Sequence, residues 1–373
     1  MKTSHTASLI RVRLATGLLA VLLAGCEQGE PAIVSSTLQV PPNPGDGYGL
    51  VKTSDSQSVI RHLGVAGNSL FFEIPWQGLY GMPKYGGNVT AVDRDTKADF
   101  RGLVTFGDDL LWLKSHFDSN DFPDDFILRR PAAGGPSTRL RHGDLNTITY
   151  NNNDTLIADS SHVYFIAEKP GARDPGGAGF IDVTPITGGA GEQVPLPMTL
   201  GLITVAGDYP TVYFTSCQTW DQGCVLTRAD VPAGTTQVVA SVSDYAQIVG
   251  IDADAVYLLD GNRLWSIART GGTETELIGS AAGIHPGYPA VVDSHGVYFF
   301  GTEPGAPLPA GRLMSVPKTG GPLTILGSDA RIHQWIPWDV AVDDQFVFVL
   351  TSPMEVNSGN EILAFPKTPP PSP

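Results

Sequence analysis

The chain has 373 residues, enough for a large core, and its 42% hydrophobic content excludes a disordered polymer. A formal charge of −15, with no segment that concentrates Lys and Arg, argues against a nucleic-acid partner. Gly 43 and Pro 30, interleaved with short apolar runs, point to many short strands joined by tight turns.

Residues 1–25 read as an export signal. Lys2, Arg11 and Arg13 precede the apolar stretch Leu14–Ala24, which is too short for a permanent membrane helix. The stretch ends in Leu23-Ala24-Gly25-Cys26, which resembles the lipobox of bacterial lipoproteins. The resemblance implies that Cys26 is acylated and becomes the new N-terminus, anchoring the chain in a membrane. Glu27, in place of the Asp that signals inner-membrane retention in many lipoproteins, favours the outer membrane. Residues 26–47 are rich in Pro and Gly and are expected to form a flexible tether.

From residue 48 a four-part phrase recurs. Its most regular part is an apolar strand, read at Ser69–Ile74, Asp109–Lys114, His162–Ala167, Thr211–Ser216, Ala255–Asp260, Gly296–Gly301 and Gln345–Leu350. Taking Phe71, Leu111, Tyr164, Tyr213, Tyr257, Tyr298 and Val347 as equivalent gives intervals of 40 to 53 residues. That period, with strand-type composition throughout, fits four-stranded propeller blades. After each copy comes a turn, clearest in Arg312–Leu326, where Pro317-Lys318-Thr319-Gly320-Gly321 separates two alternating runs. Glycine permits the positive φ that a hairpin reversal needs. The turn weakens to Val231-Pro232-Ala233-Gly234 in the fourth copy.

The seventh copy stops at Pro366-Lys367-Thr368, before an outermost strand, and residues 369–373 form a Pro-rich tail. Residues 48–53 are strand-like and lie ahead of the first full copy, so pairing them into the last unit would close a ring. The expected fold is all-β: a seven-bladed β-propeller of four-stranded blades over residues 48–368, closed by an N-terminal strand. Six blades is the alternative, because the third unit is long and the fourth irregular. The phrase Y-F … V-P-K-x-G-G over this region is similar to that of bacterial β-propeller lipoproteins with TolB-like repeats. The likeness covers the repeat and no active-site motif.

Cys217 and Cys224, seven apart between two strands of the fourth unit, are expected to form a disulfide in an exported protein. Asp118, Asp121, Asp124 and Asp125 crowd a loop of the second unit, where oxygen ligands could hold Ca²⁺; the spacing lacks the glycine and terminal Glu of an EF-hand, and a solvated acidic loop is the plainer reading. The eight histidines show no close pair, and neither a GxSxG nor a phosphate-cradling loop occurs. Trp112 and Trp265 fall within strands and read as core, whereas Trp76, Trp220, Trp335 and Trp338 fall in connections and are candidates for a ligand face.

The functional expectation is a monomeric, non-enzymatic binding or scaffold propeller for envelope proteins or polysaccharide, using the variable loops after the apolar strand. No cofactor is expected beyond the Ca²⁺ option. The alternative is a metal-dependent lyase or hydrolase in the periplasm or at the cell surface. It draws on Asp252, Asp293 and Asp343, which precede Tyr257, Tyr298 and Val347 by five, five and four residues.

Overall fold

Alternating apolar strands broken by glycine turns have one economical solution here: each copy of the phrase folds into its own antiparallel sheet. The computed structural model describes residues 33–35, 46–53, 59–117, 123–143, 156–168, 179–196, 204–217, 223–243, 246–260, 263–279, 282–302, 311–327, 335–353 and 360–368. All belong to the unit Ala32–Pro373. Cys26, Asp118, Asp121 and Trp220 lie outside the described residues, as do most of the long connections after the apolar strands.

Among the described residues there are seven sheets and no α-helix. Blade 1 runs Leu63–Ala66, Ser69–Ile74, Gly78–Pro83 and Thr90–Arg94. Blade 2 runs Ala98–Phe106, Asp109–Phe117, Pro123–Pro131 and Thr138–Gly143. Blade 3 has Ile157–Ala158, His162–Glu168, Gly179–Pro185 and Glu192–Pro195. Blade 4 has Val205–Asp208, Thr211–Ser216, Val225–Asp230 and Thr235–Ser241. Blade 5 has Gln247–Ile251, Ala255–Asp260, Arg263–Ala268 and Thr275–Ile278. Blade 6 has His285–Val292, Gly296–Thr302, Gly311–Pro317 and Thr324–Gly327. Blade 7 takes Trp335–Val342, Phe346–Pro353 and Glu361–Pro366 from the C-terminus and Tyr48–Thr53 from the N-terminus. Each blade's first strand lies beside the first strand of the next, and that of blade 7 returns to that of blade 1. The ring has seven blades, not six.

Closure is by the expected N-terminal strand, with Tyr48↔Ala364 and Lys52↔Glu361 in register. Leu50 and Val51 are buried against Phe72, Phe348 and Ile362. Asn360 stitches the joint: its N–H donates to the Thr53 hydroxyl at 2.9 Å, and its carboxamide oxygen accepts the Ile60 N–H at 3.3 Å. Within the segment expected to be tether, Ile33–Ser35 adds a fifth strand outside Tyr48–Thr53, with Ile33↔Thr53. An apolar, β-branched stretch next to an open sheet edge has backbone partners to gain there.

The second strand of every blade is buried on both faces, because its residues alternate between the two neighbouring blades. In blade 6, Val297 and Phe299 pack back toward blade 5, whereas Tyr298 and Phe300 pack forward onto Val347 and Val349 of blade 7. Trp112 and Trp265 are fully buried between blades, as expected. One equivalence needs correcting. Gly296↔Pro317 in blade 6 matches Phe346↔Pro366 in blade 7, so the counterpart of Tyr298 is Phe348, not Val347. A one-residue offset sends a strand residue to the opposite face.

Candidate functional site

Antiparallel order gives the ring two unlike ends. At the turn end, the first strand turns into the second and the third into the fourth. At the loop end, the second strand connects to the third, and each blade passes to the next.

The turn end is built on an aspartate. Asp252 follows the first strand of blade 5, and its Oδ1 accepts the N–H groups of Asp254 and Ala255, each at 2.9 Å. Its Oδ2 accepts the Tyr257 hydroxyl at 2.8 Å and the Lys318 ammonium of blade 6 at 2.7 Å. Burial pushes this carboxyl up, but Lys318, Tyr257 and the two N–H groups outweigh it and hold it down at about 2. Asp293 repeats the arrangement with the N–H groups of His295 and Gly296, the Tyr298 hydroxyl, and Lys367 of blade 7. Asp343 caps Gln345 and Phe346 and pairs with Lys84 of blade 1 at 2.8 Å. Between blades 4 and 5 the pair is Asp208 with Arg269 at 2.5 Å. The lysine of the P-K-x-G-G turn is therefore an inter-blade latch.

The latch is ionic at four junctions and takes other forms at three. From blade 1 to 2 the equivalent residues are Ala66 and Ala132, packed in one apolar cluster. From blade 2 to 3 they are Phe106 and Ile186, again in one cluster. From blade 3 to 4 the cation is replaced by Val231, and Asp159 instead accepts the Tyr209 N–H of blade 4 at 2.7 Å. Asp252, Asp293 and Asp343, the carboxylates of the catalytic alternative, are thus each held by a turn and a neighbouring blade's lysine.

At the loop end the blades differ from one another. Between blades 1 and 2, Asp99 meets Arg101 at 3.0 Å and Arg61 at 4.0 Å. His62 Nε2 lies 3.6 Å from the fully buried Glu73. Burial, helped by the Arg61 guanidinium, holds His62 down at about 4, so the imidazole facing Glu73 is neutral near pH 7. Lys114 joins Asp93 and Asp95, each at 3.0 Å, and His116 reaches Asp95 at 2.7 Å.

On the first strand of blade 7, Asp339 accepts the N–H of Leu63 in blade 1 at 2.8 Å and that of Val340 at 2.7 Å. Burial pushes its carboxyl up to about 7 despite those two bonds. Tyr288, Trp338 and Trp76 are exposed at 45%, 41% and 40%.

Of the candidate tryptophans, Trp76 occupies the turn after the second strand of blade 1, at the loop end, and Trp338 is the fourth residue of the eight-residue first strand of blade 7, in its loop-end half. Trp335 starts that same strand. Asp124 and Asp125 are not loop residues: they belong to Pro123–Pro131, opposite His116 and Ser115. Asp125 is fully buried and accepts the Ser115 hydroxyl. A nine-residue strand 123–131 pairs in full with 109–117 and draws them into the sheet. Among the described residues no three His, Cys, Asp or Glu side chains gather as metal ligands would. Cys217 and Cys224 form the expected disulfide, closing the loop between the second and third strands of blade 4. Tyr288, Asp339, Arg61, His62 and Asp99 were not singled out from sequence. Their signal is a break in strand alternation, in Tyr288-Pro289 and Pro337-Trp338-Asp339.

No family model and no curated protein matches the sequence. Solved structures do. The chain is similar to the β-propeller domain of the Trilobed protease from Pyrococcus furiosus at 10% identity and a TM-score of 0.58, over 83% of this chain and 96% of that one. It is similar to a puromycin-hydrolysing peptidase of Mycobacterium tuberculosis at 13% identity and a TM-score of 0.57, over 86% of this chain and 55% of that one. The computationally designed Ika8 protein matches at 14% identity and a TM-score of 0.53, over 91% and 98%. The shared property is the propeller fold. The Pyrococcus domain is described as having an open velcro topology, whereas here Tyr48–Thr53 pairs into the last blade.

Proposed function

We propose that this chain is a non-enzymatic binding propeller, held at the bacterial cell envelope through a lipidated Cys26, which takes its ligand on the loop end of the ring. The observation that carries this reading is the contrast between the two ends. At the turn end, the capping carboxylates Asp159, Asp252, Asp293 and Asp343 are engaged in turns and inter-blade contacts. At the loop end, the polar groups differ from blade to blade, and three large aromatic side chains stand exposed. Variation on one end of a rigid scaffold is where recognition belongs. The engagement of Asp252, Asp293 and Asp343 in the latches favours binding over metal-dependent catalysis.

Export and anchoring rest on the basic start and Leu23-Ala24-Gly25-Cys26, and outer-membrane placement on Glu27. Envelope proteins or polysaccharide are the ligands in reach of such a placement. Cosedimentation with isolated envelope material tests the binding reading with three proteins: wild type, the loop-end variant Tyr288→Ala/Trp338→Ala, and the turn-end variant Lys318→Gln. Wild type and Lys318→Gln should bind, and the loop-end variant should not. Equal binding by all three, or loss with Lys318→Gln alone, would sink the proposal. Metabolic labelling with a palmitate analogue should mark the wild type and not Cys26→Ser; an unlabelled wild type removes the anchor.

A further inference from the structure

We infer that Tyr288, Trp338 and Trp76, on the consecutive blades 6, 7 and 1, form an aromatic arc that seats an uncharged polysaccharide chain, with Asp339 as its polar floor. The inference deepens the loop-end reading and rests on it.

Three observations converge. First, exposure is uncommon for such side chains in this fold: among the described residues six large hydrophobic side chains are exposed, and three of them are these. Second, the backbone is adapted to present them. In blade 7 the register steps from Pro337↔Thr351 to Asp339↔Leu350, so Trp338 is an extra residue in the strand. In blade 6 it steps from Gly287↔Phe300 to Ala290↔Phe299, making Tyr288 and Pro289 extra. The first strands of blades 2 and 5 also carry register shifts, at Phe100/Gly102 and Ile248/Gly250, but among the described residues those of blades 6 and 7 are the ones whose extra residue is an exposed aromatic, and a bulge re-aims its side chain. Trp76 has φ +60°, and it is the one non-glycine residue with positive φ among the described residues. A bulky residue there is strained, and strain of this kind clusters at functional sites. Third, Asp339, next to Trp338 in the chain, is fixed by two backbone N–H donors, one of them Leu63 of blade 1.

This chemistry fits a sugar. Aromatic faces take the C–H side of a pyranose ring, and a carboxyl has about four lone-pair sites, two of which Leu63 and Val340 leave for hydroxyl groups. An apolar helix would require a continuous apolar face, but Arg61 and His62 adjoin Leu63 and Asp99 faces Arg61. A polyanion would be repelled by a chain of charge −15.

Affinity electrophoresis of the purified chain in gels containing soluble glucan, mannan or galactan tests this, with polygalacturonate and polylysine as charged counterparts. At least one neutral polymer should retard the wild type. Trp338→Ala and Tyr288→Ala should each weaken that retardation about tenfold, and Trp338→Tyr should retain most of it. Trp76→Gly separates folding from binding: it should raise the melting temperature by relieving the backbone while weakening retardation. The proposal is overturned if no neutral polymer retards the chain, if only a charged polymer does, or if the triple alanine variant is retarded like wild type. Envelope binding that survives such a failure, and is still lost in Tyr288→Ala/Trp338→Ala, would leave the loop-end reading standing without a sugar. Loss of both would sink both.

Discussion

The two ends of the ring solve different problems with the same residue types. At the turn end a carboxylate satisfies backbone N–H groups and a cation of the next blade, so its charge is consumed by the fold. At the loop end Asp339 also accepts two N–H groups, but among the described residues no lysine pairs with it, and it adjoins the exposed Trp338. The pKa directions record this: Asp252 is held down at about 2 and Asp339 is pushed up to about 7. A carboxylate beside a structural cation is accounted for by the architecture, whereas one shielded without such a cation is a candidate for a site.

This contrast can be tested by perturbing each end in turn. Deleting residues 48–53, which are anchored at both, should have the largest effect. Losing Leu50 and Val51 from the core and reopening the last sheet should cost more than about 4 kcal/mol and abolish a cooperative melt. At the turn end, Asp252→Ala removes the ammonium, hydroxyl and two N–H partners together. It should cost about 3 kcal/mol in urea unfolding while leaving ligand retardation unchanged. If retardation falls with it, the separation of the ends is wrong.

Replacing Cys217 and Cys224 by Ser opens a short closed loop at the loop end and should cost about 2.5 kcal/mol. Acid should resolve the ends by sign. Asp252 and Asp293 both have folded pKa values below the ordinary carboxylate value, so their contribution is present above about pH 4 and is lost as pH falls below it, for Asp252 toward about 2. After screening, Asp252 should contribute about 1 kcal/mol to that loss. Asp339 is raised, so its effect has the opposite sign: the fold is favoured below about pH 4 and loses that contribution as pH rises through about 7. Melting curves from pH 2 to 8, with Asp252→Asn and Asp339→Asn, should show the acid-side fall shrink in the first and the neutral-side decline shrink in the second. A small effect on stability is expected of Trp338→Ala, about 1 kcal/mol by melting, because the residue is 41% exposed. A large loss would show that the ring is core and not a ligand platform.

Much of the architecture was legible in the chain because a propeller repeats. Seven apolar strands, six glycine turns and a missing last strand point to seven blades, with six as the alternative, and to closure by an N-terminal strand; the sheet pairings decide for seven. The latch leaves a trace in adjacent copies that only the blade-to-blade contacts make readable. Where the P-K-x-G-G lysine becomes Ala132 or Ile186, the preceding copy carries Ala66 or Phe106 in place of aspartate. The one-residue offset in the seventh copy was not legible, since Val347 and Phe348 are equally apolar and only pairing with Pro366 separates them.

By itself, then, the sequence determined the all-β repeat architecture and the strand order within a blade, and it pointed to seven blades, an N-terminal closing strand and a Cys217–Cys224 pair. Those follow from local periodicity, turn chemistry and short-range spacing, which any copy reveals. Tertiary structure alone decided that Asp252, Asp293 and Asp343 serve the neighbouring blade, and that Tyr288, Trp338 and Trp76 share one end across three blades. These residues are up to 262 positions apart in the chain, and closure of the ring brings blade 7 beside blade 1.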